Sequence, residues 1–152
     1  MKRTDAERIG LMIASECLSV RVRRLSRVIT RIYDAALAPL GVNTAQMNLL
    51  AAIALTGGAR AADLTRILEV EKSTLSRDLK RMEQLGWVHA RAVSGKRGRM
   101  VVLTSAGSRL VVAVEKAWNE AQAAAEKELG GDSFARLRHA LPSPVRSASR
   151  AR

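Results

Sequence analysis

Cysteine is almost missing from this chain. Cys17 is the single one in 152 residues, which excludes an internal disulfide and fits a reducing compartment. Aromatic residues are nearly as scarce: Tyr33, Trp87, Trp118 and Phe134 are all there are. Readers of RNA and of single strands stack bases on aromatic rings, so the shortage argues against those partners. Histidine is limited to His89 and His139, far apart in sequence, and with one cysteine they cannot assemble a structural zinc site. His89, in a strand-like run, reads as structural or as a neighbour of phosphate rather than as a base. No Gly-rich phosphate cradle, no Ser/His/Asp set and no paired carboxylates can be placed. The expectation is therefore a non-enzyme without metal or cofactor. No apolar run approaches the roughly eighteen residues of a spanning helix. Asp5, Glu7 and Glu16 also break up any signal-peptide core, so a cytoplasmic protein with no membrane role is expected.

Acid is the scarce charge. Fourteen Asp and Glu face 26 Lys and Arg, a net charge of +12. Such a balance implies a polyanionic partner, nucleic acid first and a membrane surface second. With RNA and single strands disfavoured, duplex DNA is the better match. The apolar fraction of 47% is ordinary for a globular protein. A chain of this length buries about 68–70% of its unfolded surface and needs no staple.

The stretch from Ala61 to Thr104 organises the rest. It reads as a short helix, a tight turn, a second helix and two strands joined by a basic loop. Along the second helix, Leu75, Leu79, Met82 and Gly86 recur at steps of four, three and four, which makes one face for burial. Opposite lie Ser73, Arg77, Lys80 and Gln84, flanked by Thr74 and Arg81. Hydroxyls, an amide and cations are the groups that donate to phosphates and base edges, although a solvated helix face would look the same. Trp87 to Arg91 and Met100 to Leu103 are strand-like, and between them run Ser94, Gly95, Lys96, Arg97, Gly98 and Arg99. Two such runs around a glycine loop predict a hairpin. Its tip carries three cations and no acid, for which packing offers no reason. Helix, turn, outward polar helix and basic hairpin follow the order of a winged helix-turn-helix.

The run Leu75-Ser76-Arg77, then Met82 to Leu85, Gly86-Trp87-Val88, Lys96-Arg97-Gly98 and Leu103-Thr104-Ser105-Ala106-Gly107 resembles the MarR family of bacterial transcription regulators. The resemblance covers about Leu18 to Leu141, and its Leu-Thr-x-x-Gly segment is fairly specific. It implies a winged helix joined to long dimerisation helices, a homodimer on double-stranded DNA, and a small phenolic or lipophilic ligand entering between dimer helices and DNA-binding lobe. Two positions depart from the family pattern. Gly95 stands where an acid two places before the residue matched by Arg97 is common, and Glu69 where a turn glycine is common.

Flanking helices complete a mainly α fold with a small β-hairpin wing. A long helix is expected from about Leu11 to Leu40, after a frayed polar start, with Leu18, Val22, Leu25, Ile29, Ile32 and Ala36 on one line. Arg23, Arg24, Arg27, Arg31 and Asp34 lie on its far side, the arginine row as a solvated face or a DNA-backbone contact. Pro39 and Gly41 end it, and Asn43 or Thr44 caps a central helix over Ala45–Leu55, with Gln46 able to close a capping box. Beyond the wing, Thr104 or Ser105 caps a helix to about Leu129, with Val111, Val114, Trp118, Ala121 and Ala125 in line. A last short helix follows, capped by Asp132 or Ser133 and stopped by Pro142. Residues 11–42 and 105–141 thus form a helical dimerisation region, 43–104 the winged helix-turn-helix, and 142–152 a basic, disordered tail. The terminal helices carry more apolar surface than so small a winged helix can cover, which marks an interface.

Base readers are expected in the first half of the recognition helix: Ser73, Thr74, Ser76 and above all Arg77, whose guanidinium can bond two guanine acceptors. Ser73 has the alternative role of a helix cap. Lys80 and Arg81 suit phosphates, while Lys96, Arg97 and Arg99 would reach the minor groove or backbone. Together these describe a sequence-specific regulator of transcription, a ligand-responsive repressor by resemblance. The alternatives are a nonspecific architectural DNA-binding protein, a protein-interaction module, and a redox-sensing regulator using Cys17. Peroxide-sensing relatives place tyrosines near a thiol in the first helix. Here the residues four and fourteen beyond Cys17 are Arg21 and Arg31, and Tyr33 falls toward the opposite flank.

Overall fold

A computed structural model describes residues 4–92 and 99–141. Seven helices run in chain order: α1 Asp5–Glu16, α2 Leu18–Leu37, α3 Thr44–Thr56, α4 Ala61–Leu68, α5 Lys72–Gln84, α6 Ser105–Leu129 and α7 Gly131–Ala140. A 3-10 turn, Ala38–Leu40, follows α2, and strands β1 Val88–Ala92 and β2 Arg99–Leu103 separate α5 from α6. The strands pair antiparallel with Val88 opposite Leu103 and Ala92 opposite Arg99. Ala59 adds a third rung, exchanging both backbone hydrogen bonds with Val101 at 3.0 and 2.8 Å. The hairpin is thereby stitched to the loop between α3 and α4. This three-part sheet, α4 and α5 are the winged helix-turn-helix.

Local chemistry accounts for most boundaries. Asn43 accepts from the Gln46 amide while Gln46 returns a bond to the Asn43 N–H, the capping box that starts α3. Gly57 then takes a left-handed conformation, and Gly58 N–H reaches back to the Ile53 carbonyl, which closes α3 in a Schellman motif. Helix α5 ends in the same way: Gly86 is left-handed and Trp87 N–H donates to Met82 O at 2.9 Å. Helix α4 uses that motif with an unusual residue. Glu69 has φ +51°, the one positive φ outside glycine among the described residues, and Val70 N–H bonds the Thr65 carbonyl. A glycine there would adopt this conformation freely, whereas Glu69 meets the Cβ penalty of the left-handed region.

Three expectations are corrected. The first helix does not run unbroken from Leu11 to Leu40, because Cys17 has extended ψ and separates α1 from α2. Nor does the start fray: Thr4 and Glu7 form a capping box, so α1 begins at Asp5. The last helix, α7, starts from Gly130 without a side-chain cap, in place of Asp132 or Ser133.

The core lies beneath the lobe and along the α2–α6 contact. Leu37, Leu50, Ile53, Leu64, Leu75 and Met82 are its largest fully buried side chains. Helix α3 is buried on several sides, including Met47, Leu49 and Leu50, which suits its central place between α2, α4, α6 and β2. On α6 the buried line is Val114, Ala121 and Ala125, so small residues let α2 approach closely. Trp118, expected in that line, is 40% exposed beside it. Leu18 and Val22, which begin the predicted α2 stripe, are also exposed, whereas Tyr33 and Leu37 are buried at its other end. Residues 142–152, where a basic tail is expected, lie outside the described residues.

Candidate nucleic-acid interface

Helix α5 presents two chemically distinct faces. Leu75 and Met82 are fully buried and Leu79 is partly buried, which fixes the helix against the lobe. Ser73, Ser76, Arg77, Lys80 and Arg81 are exposed, and Thr74 is half-buried. The expected capping role of Ser73 is not used. Glu71 occupies the N-cap position without a side-chain bond, which leaves the Ser73 hydroxyl facing out. Arg77 donates to Thr74 Oγ1 at 3.2 Å, one turn back on the same helix. That contact holds the guanidinium along the N-terminal half of α5 while leaving most of its five donors unspent.

Beside α5 stands the hairpin. Arg99, at its outer end, is exposed and donates to the Ala90 carbonyl across the strand pair at 3.2 Å. Lys96 and Arg97 lie outside the described residues, as does the Gly95 departure. The structure thus brings five exposed donors together on α5 and leaves Arg99 exposed at the outer end of the hairpin. Among the described residues no group of three or more His, Cys, Asp and Glu could hold a metal ion.

The hairpin is locked to α5 and α6 by a feature whose sequence signal is Thr104-x-x-Gly107. Thr104 Oγ1 accepts from Gly107 N–H at 3.0 Å, capping α6, and donates to the Gly86 carbonyl at 2.6 Å. Thr104 N–H also bonds Trp87 O at 3.0 Å. At Gly107 the helix passes so near the Trp87 carbonyl that an added Cβ would stand 2.0 Å from its oxygen. The end of the recognition helix, the base of the wing and the start of α6 therefore meet at one point.

A second joint was not foreseen from the sequence. Asp34 Oδ1, on α2, accepts from Thr44 N–H at 2.7 Å and from Thr44 Oγ1 at 2.6 Å, clamping α2 to the start of α3. One residue earlier on α2, the Tyr33 hydroxyl donates to Gln122 Oε1 of α6. Burial holds the Tyr33 phenol above its usual pKa, since the tyrosinate would lose hydration. Cys17 is half-buried at the α1–α2 break, and the neighbouring Arg21 spends its guanidinium on the Ser15 carbonyl.

A groove of about 580 Å³ lies between α4, α5 and the hairpin, with Ala62, Thr65, Leu75, Leu79 and Val101 along it and Lys72 and Lys80 at its rim. It is not the dimer-helix junction where a ligand is expected. Among the described residues no single helix is long and apolar enough to cross a membrane.

Residues 40–99 match the MarR family model. The uncharacterized HTH-type transcriptional regulator YwoH of Bacillus subtilis is 31% identical over 84 residues, 55% of this chain and 61% of that relative's length. Wild-type MarR of E. coli in its apo form is similar in structure, with a TM-score of 0.69 and 25% identity over 82% of this chain and 97% of that one. A mutant MarR of E. coli complexed with operator DNA superposes with a TM-score of 0.77 at 24% identity, covering 87% of this chain and 99% of that one. The winged helix and the Thr104–Gly107 lock thus stand in a chain that is similar to MarR-family proteins over residues 40–99 and shares their fold.

Proposed function

We propose that the chain binds double-stranded DNA as a homodimer and regulates transcription in the cytoplasm, by binding and not by catalysis. The observation that carries this reading is the exposed face of α5. Ser73, Ser76, Arg77, Lys80 and Arg81 point outward while Leu75 and Met82 anchor the helix from behind. In this reading α5 enters the major groove, with Arg77 bonding a guanine and Ser73, Thr74 and Ser76 touching neighbouring edges. Lys80 and Arg81 take phosphates, and Lys96, Arg97 and Arg99 of the wing take the adjacent backbone or minor groove. The similar MarR of E. coli in complex with operator DNA supports the same use of the fold.

The dimer follows from what one copy leaves uncovered. Leu18 is 73% exposed and Val112 72%, and Val22, Trp118 and Leu141 are exposed as well. These residues lie on α2, α6 and the end of α7, within the regions 11–42 and 105–141, and a two-fold pairing would remove them from water. Regulation by a small phenolic or lipophilic ligand is a further part of the proposal. Such a ligand would act by changing the spacing of the two recognition helices.

The test is affinity for duplex DNA measured against salt, for the wild type and for Arg77→Ala. Salt-dependent binding in which Arg77→Ala loses preference among sequences supports a base-reading regulator. Equal weakening on every sequence contradicts the role given to Arg77. Salt-dependent binding with no sequence preference in the wild type would instead mark an architectural protein.

A further inference from the structure

Helix α2 is unusually one-sided in charge. It carries Arg21, Arg23, Arg24, Arg27 and Arg31 and no acid before Asp34, and all five guanidiniums are on exposed residues. Arg21 is occupied by the Ser15 carbonyl. The other four make no ion pair among the described residues, where the pairs are Arg8–Asp5, Arg66–Asp63 and Lys116–Glu120. Arg23, Arg27 and Arg31 recur every four residues, so they form a ridge along one face. Thr30 and Asp34 share that face, and both reach Thr44 at the start of α3. The ridge therefore runs along the outside of α2 and ends at the joint with the winged lobe.

Solvation alone does not account for this arrangement. Like charges at i and i+4 oppose helix formation by about 0.2–0.5 kcal/mol per pair. Arginines in the first turns also oppose the helix dipole, whose N-terminal end is positive, and α2 has no acid in its first turn to offset them. Elsewhere the chain follows the stabilising pattern: α1 pairs Asp5 with Arg8, and α6 pairs Lys116 with Glu120. On α2 that pattern is abandoned. An anionic partner would reverse both penalties at once, since phosphate oxygens bridge neighbouring guanidiniums and complement a helix N-terminus.

We propose that Arg23, Arg27 and Arg31, with Arg24 at their flank, form a second contact with the phosphate backbone of duplex DNA, outside the half-site engaged by α5 and the wing. At 1.5 Å rise per residue the ridge is about 12 Å long. Duplex phosphates are spaced about 3.4 Å per strand along the axis, so the ridge spans several of them. Arginine suits the task, because its planar fork grips phosphate bidentately. The inference rests on the DNA-binding reading and assigns it an additional surface.

The test uses the full-length triple variant R23Q/R27Q/R31Q and the matching triple lysine variant. Two duplexes serve as probes: the selected site trimmed to its ends, and the same site inside long random flanks. The expected result is that the wild type binds the flanked duplex more tightly than the trimmed one. The glutamine variant should lose that surplus, and its salt slope on the flanked duplex should fall by about 0.9 for each phosphate released. On the trimmed duplex it should match the wild type, and the lysine variant should keep most of the slope on both. The glutamine variant's melting temperature should hold or rise, because repulsion along α2 is relieved. Equal affinities and slopes for wild type and glutamine variant on both duplexes would overturn the inference while leaving the DNA-binding reading intact. Equal losses on both duplexes would also overturn it, by placing the ridge within the half-site. Capture of anionic lipid vesicles by the wild type but not by the variant, with unchanged DNA slopes, would assign the ridge to a membrane surface and overturn it too. If the wild type shows no salt-dependent affinity for either duplex, the DNA-binding reading itself fails.

Discussion

Replacing Gly107 by alanine adds a single methyl group, yet the structure assigns it a large effect. The new Cβ would stand 2.0 Å from the Trp87 carbonyl oxygen and 3.0 Å from its carbon, both backbone atoms that cannot rotate away. Ordinary contact needs well over an ångström more, so α6 must shift away from the base of the wing. That shift breaks the cluster it closes: Thr104 N–H to Trp87 O at 3.0 Å, Thr104 Oγ1 to Gly86 O at 2.6 Å, and Gly107 N–H to Thr104 Oγ1 at 3.0 Å. At about 1 kcal/mol net for each bond, the loss is about 3 kcal/mol, with added cost if a buried carbonyl is left unpaired. Alanine returns up to about 1 kcal/mol through its better helix propensity. The expected net destabilisation is about 2–3 kcal/mol, read as a lower urea midpoint at unchanged slope. Thr104→Ala, which removes the hydroxyl bonds without a clash, should cost less, about 1–2 kcal/mol. A Gly107→Ala variant as stable as the wild type would refute the close approach and the lock built on it.

Glu69→Gly should raise stability by about 0.5–1 kcal/mol, because the left-handed penalty of about 1–2 kcal/mol exceeds the extra freedom glycine has when unfolded. A lower urea midpoint would show that Glu69 is not strained at φ +51°. Tyr33→Phe leaves Gln122 Oε1 without its donor and should cost about 1–2 kcal/mol. The wild-type phenol is held above 10.0, so its contribution is fully present below about pH 10 and is lost as pH rises through the higher folded value. The Phe variant should lack that component of alkaline unfolding, and an unchanged alkaline profile would remove Tyr33 from the account. Arg77→Ala should lower discrimination at one base position by about 1–3 kcal/mol in competition assays. Arg97→Ala should weaken every duplex alike and reduce the salt slope by about 0.9.

Much of this was legible because the signals were local. The wheel through Leu75 and Met82 assigned the buried face of α5 correctly, since both side chains are fully buried. The Asn43–Gln46 spacing announced a capping box, and the Thr104 cap opened α6 where expected. What escaped depended on distance in space. Nothing in the sequence couples Asp34 to Thr44 or Tyr33 to Gln122, because each pair joins different helices. Trp118 fits the predicted stripe of α6 by spacing, but the side chains buried along α6 are Val114, Ala121 and Ala125, and Trp118 is left 40% exposed. The break at Cys17 also went unseen, since the apolar period continues through it and no proline or glycine marks it. The departure at Glu69 was visible as a residue type. Its meaning, a left-handed cap without glycine, required the backbone.

The central claim is that two copies of this chain present two α5 helices to one duplex. Selection from a random pool of duplex DNA by the purified protein tests it most directly. The account predicts an enriched palindrome whose half-sites lie about one helical turn, 34–36 Å, apart or at a multiple of that spacing. Recovery of a pool with no common sequence, or of single half-sites with no fixed spacing, would contradict it.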